Sequence, residues 1–310
     1  MHAAFGWLVE PGFFSSAPVR TAALVGGVAA VVSGIVGAFT VMRGQSFAGH
    51  ALADVSAAGG SAAFLIGISP LLGFVGMAGL AAGGMEAVGV ERARGRDLAT
   101  GIVLGAGLGL AALLLYFDST STSTTGAAIS VLFGSMFAIA PSIIPWAAGL
   151  SALVALAVLL AYRPLLLSSL DPDLAAVRGV RVRVFETLHL LALAAAVALS
   201  ALTIGAILST ALLVGPGAAA LRVARRPGWS LVWAAGIGLG CTWLGILLAY
   251  DSYDWPPGHR GWPVSFFIVA LVFVAYVAGG IFHRVRRDRR DHRDRRGTSA
   301  RQAHATAGSA

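Results

Sequence analysis

The sequence predicts an all-α protein, a polytopic bundle of about eight or nine helices that cross a membrane. Of its 310 residues, 57% are hydrophobic and only 12% are charged, whereas a soluble domain carries roughly a quarter charged residues. The apolar residues form long runs, and about 20 apolar residues are enough for one helical crossing. Backbone polar groups must be hydrogen-bonded inside lipid, which long apolar runs achieve as helices.

The predicted crossings follow one another along most of the chain. A further apolar stretch, 126–140, is too short to cross and is predicted to be a re-entrant or interfacial piece. Residues 1–19 are predicted to form an extracytoplasmic segment, 20–282 the transmembrane domain, and 283–310 a basic, disordered tail. The nine crossings are residues 20–42, 50–68, 71–88, 98–117, 143–162, 184–202, 203–221, 229–250 and 264–282.

The arginines predict the orientation of the chain. If the C-terminus lies in the cytoplasm, nine crossings place the N-terminus outside, and every arginine except Arg20 and Arg260 is then cytoplasmic. The reverse orientation would leave only those two inside, against the positive-inside rule. We therefore expect the tail to lie in the cytoplasm, where it can contact anionic lipid headgroups. It lacks interleaved aromatic residues, so we expect no nucleic-acid partner.

The basic residues also exclude a function. All 22 are arginine, because the sequence contains no lysine. A Walker A phosphate loop requires a lysine beside the phosphates, so the chain is not expected to hydrolyse ATP by itself. The H-E-x-x-H and G-x-S-x-G motifs are also missing from the sequence. We therefore expect a protein that is not an enzyme.

One pair of ionisable residues lies inside a predicted crossing, where each charge costs about 2.5–3.5 kcal/mol. His50 and Asp54 are four residues apart, so a helix places both on one face. Glycine and alanine surround them, which lets helices approach closely or line a narrow passage. The pair can bind a divalent cation transiently. It can equally serve as a polar hydrogen-bonding contact between helices.

Other ionisable residues lie near predicted span ends. Glu86 is expected to extend its carboxylate toward the interface at the end of the third span. Glu186 and His189 are expected to face the cytoplasmic interface at the start of the sixth. None of these three is predicted to contribute to a site.

The polar connection 163–183 contains a predicted short helix. Asp171 can cap it, Pro172 suits its first turn and Gly179 can end it. Such an element can insert into a groove of a partner protein and transmit force, or it can be a plain connector.

Several stretches, in order, resemble the membrane permeases of zinc- and manganese-type ABC importers. The resemblance covers about residues 20–282. Residues 20–43 are similar to the first span and its arginine-containing turn, and GHALADVSAAG (49–59) resembles G-D-A-L-S-H-A-x-L-P-G. LFGS (132–135) and GAILSTALLVGPGAA (205–219), which precedes an arginine, also match. DPDLAAVRGV (171–180) is similar to the element that docks on the ATPase.

The second of these stretches departs from the family pattern. His50 stands at the family's aspartate position, Asp54 at its histidine position, and Ala58 replaces the proline. The exchange keeps one imidazole and one carboxylate on the same helix face. The resemblance therefore implies that His50 and Asp54 are transient ligands of a transported divalent cation, zinc, manganese or iron, with no permanently bound cofactor.

The resemblance also implies partners and a location. It implies a homodimer in the bacterial inner membrane, served by an extracytoplasmic metal-binding protein and a cytoplasmic ABC ATPase. The implied ATPase contact consists of Asp171, Pro172, Asp173, Leu174, Ala175 and Gly179. Three alternatives stay open: a permease for iron-siderophore or cobalamin import, a secondary transporter without an ATPase, and a membrane scaffold.

Overall fold

The structure is a computed structural model that describes residues 13, 15–87, 96–121, 126–224, 226–255 and 261–307. Most of the predicted N-terminal segment and most of the charged loop after the third span lie outside these residues. The described residues form helices joined by turns, without a strand. The helices are α1 (Ala17–Met42), α2 (Ser46–Ile66), α3 (Pro70–Ala87), α4 (Arg96–Ser121), α5 (Gly126–Phe133), α6 (Ile144–Leu160), α7 (Tyr162–Leu170), α8 (Pro172–Val177), α9 (Val182–Ile204), α10 (Ala206–Val223), α11 (Pro227–Asp251) and α12 (Val264–Ala307).

The predicted polytopic helical bundle is confirmed. Nine helices correspond in order to the nine predicted crossings: α1 to α4, α6 and α9 to α12. In the described part of the chain, eight segments are long and apolar enough to cross a membrane, each lying in or containing one of these helices. The exception is α2, the helix that carries His50 and Asp54, which is long enough but less apolar.

Small residues hold α2 between its neighbours. A Cβ atom added at Gly59 would lie 2.1 Å from the carbonyl oxygen of Gly73 in α3, so the two backbones touch there. On another side, a Cβ atom at Gly107 of α4 would lie 2.2 Å from Val55. The hydroxyl of Ser56 is buried and donates to the Ala53 carbonyl within α2 at 2.7 Å. Helix α2 can therefore be polar because other helices, and not lipid, cover it.

A second close crossing joins α1 to α10 and α11. A Cβ atom added at Gly37 of α1 would lie only 1.7 Å from the Leu213 carbonyl oxygen of α10, and Gly217 packs against the same turn of α1. One turn away, a Cβ atom added at Gly34 would lie 2.6 Å from the Ala234 carbonyl oxygen of α11. Only glycine permits this backbone approach, which makes α1 the centre of the bundle.

The stretch 126–140 forms the predicted short, non-crossing piece. Helix α5 has eight residues, about 12 Å at 1.5 Å per residue. It ends at Phe133 and is followed by Gly134, where φ is +76°. Gly134 packs directly on Gly205, where φ is +88°. Two stretches that carry the family resemblance, LFGS and the start of α10, therefore meet backbone to backbone.

The connection 163–183 contains one more helix than the sequence predicts. Helix α7 covers Tyr162–Leu170, directly after α6, and the predicted short helix follows as α8. The sequence expectation for α8 ran to Gly179, whereas the helix ends at Val177, with Gly179 at φ +80° in the turn that follows.

The tail differs from the sequence expectation. Helix α12 continues from the membrane to Ala307, a total of 44 residues, where the sequence predicts disorder after residue 282. Arginine and alanine favour helix, and a tail that extends an existing helix needs no new nucleation.

Candidate cation site and docking helix

The structure brings His50 and Asp54 together on one face of α2. The His50 Nε2 atom lies 3.5 Å from Asp54 Oδ2. The two side chains differ in accessibility: 44% of His50 is exposed and only 10% of Asp54. The pair is thus open on the imidazole side and enclosed on the carboxylate side.

A third side chain, which the sequence did not predict, orients the imidazole. Thr210 of α10 lies with its Oγ1 atom 3.1 Å from His50 Nδ1. When Nδ1 carries the proton and donates it to Thr210, the lone pair of Nε2 is available for a cation. A hydrogen bond at the second ring nitrogen is the usual means by which proteins orient a metal-binding histidine.

In the described residues, no group of three or more His, Cys, Asp and Glu side chains stands close enough to hold a metal ion together. His50 and Asp54 thus form a two-residue site within one copy of the chain. This two-residue site lies where α2 meets α10, because Gly49, one residue before His50, packs against Leu213 of α10.

Two ionisable residues near span ends contact neighbouring helices, and one of them differs from its sequence prediction. Glu86 accepts a hydrogen bond from Thr187 of α9 at 2.6 Å. His189 does not face the interface but is buried, with Nε2 3.5 Å from Thr40 Oγ1 and its ring edge-on to Phe39. Both connect neighbouring helices, because a polar group inside a helical bundle finds partners on adjacent helices.

Helix α8 has the capping structure that the sequence predicts. Asp171 Oδ1 accepts a hydrogen bond from the Leu174 backbone at 2.9 Å, and Pro172 occupies the first turn. At the other end, the backbone N–H of Val180 donates to the Ala175 carbonyl at 3.0 Å, over the positive φ of Gly179. Asp173 adds a negative charge in the first turn, where a carboxylate interacts favourably with the positive end of the helix dipole.

The two faces of α8 differ in burial. Ala175 is fully buried, whereas Val177 is 86% exposed and Leu174 41% exposed. An exposed apolar pair on a short, capped helix is suited to insertion into a groove of another protein. Because Ala175 has a small side chain, the buried face of α8, opposite Leu174 and Val177, can lie close to the bundle.

Several proteins of known role are similar to this chain over most of its length. The manganese import system permease protein ScaB of Streptococcus parasanguinis is 30% identical over 71% of this chain and 78% of its own. The manganese transport system membrane protein MntC of Halalkalibacterium halodurans is 30% identical over 86% and 89%. The probable iron transport system membrane protein of Haemophilus influenzae is 26% identical over 87% and 97%.

A solved structure shares the fold. PsaBC from Streptococcus pneumoniae, in complex with Fab, superposes with a TM-score of 0.74 at 24% identity, over 90% of this chain and 95% of that one. The family profile covers both α2 and α8, and it confirms the resemblance that the sequence motifs predicted. The chain belongs to the ABC 3 transport family, whose profile matches residues 16–279.

Proposed function

We propose that this chain is the membrane permease subunit of an ABC importer for a divalent transition-metal cation, with manganese as the first candidate. Family membership supports ATP-driven transport over a secondary transporter. The names of two relatives support manganese as the cargo, and the name of a third relative gives iron. Zinc and iron are the cations against which manganese has to be compared.

The spacing of His50 and Asp54 is the observation that carries the cation-binding part of the proposal. Two ligand atoms of one tetrahedral zinc ion, each about 2.1 Å from it, stand about 3.4 Å apart. The observed distance from Nε2 to Oδ2 is 3.5 Å, so one cation fits between the two atoms with little movement. Two protein ligands, completed by water, bind weakly enough for the cation to leave again.

The proposed orientation places α8 in the cytoplasm, where a separate ATPase docks on Leu174 and Val177. The chain itself has no lysine for a Walker A motif, so the ATPase is another subunit. An extracytoplasmic binding protein delivers the cation at the opposite end of the bundle. The location is the bacterial inner membrane, with the C-terminus in the cytoplasm, as the arginine distribution favours.

A homodimer is the proposed assembly, with α4 in the contact. Gly101, Gly105 and Gly109 repeat at every fourth residue of α4, the spacing that favours close helix pairing in lipid. A Cβ atom added at any of the three would meet no atom within 4 Å in the described part of the chain, outside its own helical backbone. A second copy can occupy this space.

The cation site is tested by exchanging its two residues. In cells that depend on the importer, His50→Asp combined with Asp54→His restores the family order and should keep uptake of radioactive Mn²⁺ within a few-fold of the wild type. His50→Ala should lower uptake at least tenfold, because losing a ligand should cost no less than losing the hydrogen-bond partner of a ligand, about 10–100-fold in affinity. Uptake is normalised to the amount of protein in the membrane.

The two single exchanges serve as matched controls. His50→Asp alone leaves two carboxylates and Asp54→His alone leaves two imidazoles, so each should transport less Mn²⁺ than the double variant. If His50→Ala and Asp54→Ala together left uptake unaltered at normal protein level, the site would be rejected. Competition by Zn²⁺ and Fe²⁺ identifies the preferred cargo.

The docking surface is tested separately. Leu174→Asp combined with Val177→Asp places charge on the exposed face of α8 without disturbing buried Ala175. Co-purification with the ATPase should be lost, because two carboxylates would be buried without partners. Val285→Asp, at an exposed position on α12, is the control and should keep the ATPase. Retained co-purification of the α8 variant would refute this surface.

A further inference from the structure

The residue after α1, Arg43, connects the transmembrane bundle to the helix that leads into α8. Its Nε atom donates to Ser169 Oγ at 2.9 Å and its Nη2 atom to Ser168 Oγ at 2.7 Å. Nη2 also lies 3.5 Å from the Leu165 carbonyl oxygen. All three acceptors belong to α7, so a single guanidinium holds the second half of that helix.

The donors and acceptors of this contact are complementary. The hydroxyls of Ser168 and Ser169 donate to the Leu165 carbonyl, at 3.1 Å and 2.5 Å. Their lone pairs therefore face Arg43, which can only donate. The planar guanidinium reaches both hydroxyls at once, whereas a lysine ammonium is a point charge without this fork.

Helix α8 begins within one turn of this contact. Asp171, which caps α8, also donates its backbone N–H to the Leu167 carbonyl of α7 at 3.0 Å. Ser169 is two residues before Asp171 in the chain. A displacement of α8 therefore acts on the part of α7 that Arg43 holds.

The other end of the connection reaches the cation site. Arg43 lies six residues after Gly37, about 9 Å along the helix axis. Gly37 touches the Leu213 backbone of α10, three residues after Thr210. Thr210 in turn contacts His50. Rigid helices and close contacts thus join α8 to the imidazole without a flexible segment between them.

We propose that Arg43 is a positioning residue that transmits the movement of α8 through α7, α1 and α10 to His50. The proposal rests on the proposed function, because it assumes that an ATPase moves α8. Without the guanidinium, the ATPase would still dock and hydrolyse ATP, but α7 would move without α1. Transport would then be uncoupled from hydrolysis.

The test measures Mn²⁺ uptake per ATP hydrolysed, in liposomes that contain the chain with its ATPase and are supplied with the metal-binding protein. Arg43→Gln removes the charge and the fork, and Ser168→Ala combined with Ser169→Ala removes the two hydroxyl acceptors without changing α1. Each should lower the ratio about tenfold, as expected for the loss of a charged hydrogen-bonded group, and leave ATP hydrolysis within twofold. Arg163→Ala, at an exposed position of the same helix, should change neither.

The triple variant, Arg43→Gln with both serine substitutions, tests whether the arginine and the serines act through one contact, and the unchanged ATP hydrolysis separates the proposal from a merely structural role. If the contact transmits movement, the triple variant loses no more than either parent, because all of them remove one shared interaction. Additive losses, an unchanged ratio, or an equal fall in hydrolysis and uptake would each overturn it. Failure of the wild-type complex to import any of Mn²⁺, Zn²⁺ and Fe²⁺ would overturn the proposed function itself.

Discussion

Two glycines of α1, Gly34 and Gly37, occupy a different environment from three exposed glycines of α3 and α4. Most residues of α1 are buried inside the bundle, whereas few residues of α4 are. Gly34 and Gly37 are pressed against carbonyl groups of α11 and α10, whereas Gly76 of α3 and Gly105 and Gly109 of α4 are exposed. The same residue type therefore serves internal packing in one region and leaves a surface available in the other.

This difference shows why glycine content alone does not locate a functional surface. In α1, the absence of a side chain is already used by the fold, because α10 and α11 fill the space. At Gly101, Gly105 and Gly109 of α4, nothing in the described chain fills it. Substitution by larger residues should therefore act on the fold in α1 and on the proposed dimer in α4.

The largest effect is expected for Gly37→Ala. The added methyl would overlap the Leu213 carbonyl oxygen, which would lie 1.7 Å from it, so α1 and α10 would have to separate. Overpacking of a close contact typically costs about 1–3 kcal/mol and occasionally more. Thermal unfolding in detergent, followed by size-exclusion chromatography, should show a marked loss of the folded fraction. An unfolding midpoint equal to that of the wild type would contradict the role of this crossing.

An intermediate effect is expected for Gly109→Leu on α4. The side chain should be tolerated within one copy but should weaken the proposed dimer, because it blocks close helix approach. Light scattering of detergent-purified protein should show a shift from dimer to monomer without a lower unfolding midpoint. Ala106→Leu adds a side chain at an exposed position outside the glycine repeat and should stay dimeric. Equal behaviour of the two variants would exclude the repeat from the interface.

The smallest effect is expected for Gly76→Ala, which is also the control for Gly37→Ala. No atom of the described chain outside the helix's own backbone lies within 4 Å of the added Cβ atom. The unfolding midpoint should be unchanged or slightly higher, because alanine favours helix by up to about 1 kcal/mol over glycine. A large destabilisation would show that α3 is covered in a way that the single chain does not reveal.

Much of the fold could be predicted from the sequence, because long apolar runs and arginine positions report directly on crossings in lipid. The pair His50 and Asp54 was found for a related reason: charges within an apolar run stand out. Thr210 could not be predicted, since its proximity to His50 depends on how α10 packs against α2. The burial of His189 could not be predicted either, because it depends on the neighbours of α9.

The contact of Arg43 with α7 shows a different limit of sequence reasoning. The sequence indicated that Arg43 lies on the side rich in arginine, in the turn after the first span that resembles the family, but it indicated no partner for the side chain. Helix α7 was missed, because its residues lie between a predicted crossing and a polar connection and have no periodicity of their own. The acceptors Ser168 and Ser169 are common residue types, and only the three-dimensional structure shows that both face one guanidinium.

The polarity of α2 has a consequence for how the chain is made. A helix that carries His50 and Asp54 and falls short of the apolarity of its neighbours has little tendency to leave the translocon for lipid alone. It has to be accepted together with a flanking helix, and Gly59 and Gly73 allow α2 and α3 to leave as a closed hairpin. We therefore expect insertion of this transporter into the membrane to be cooperative at the same helix on which its cargo is proposed to bind.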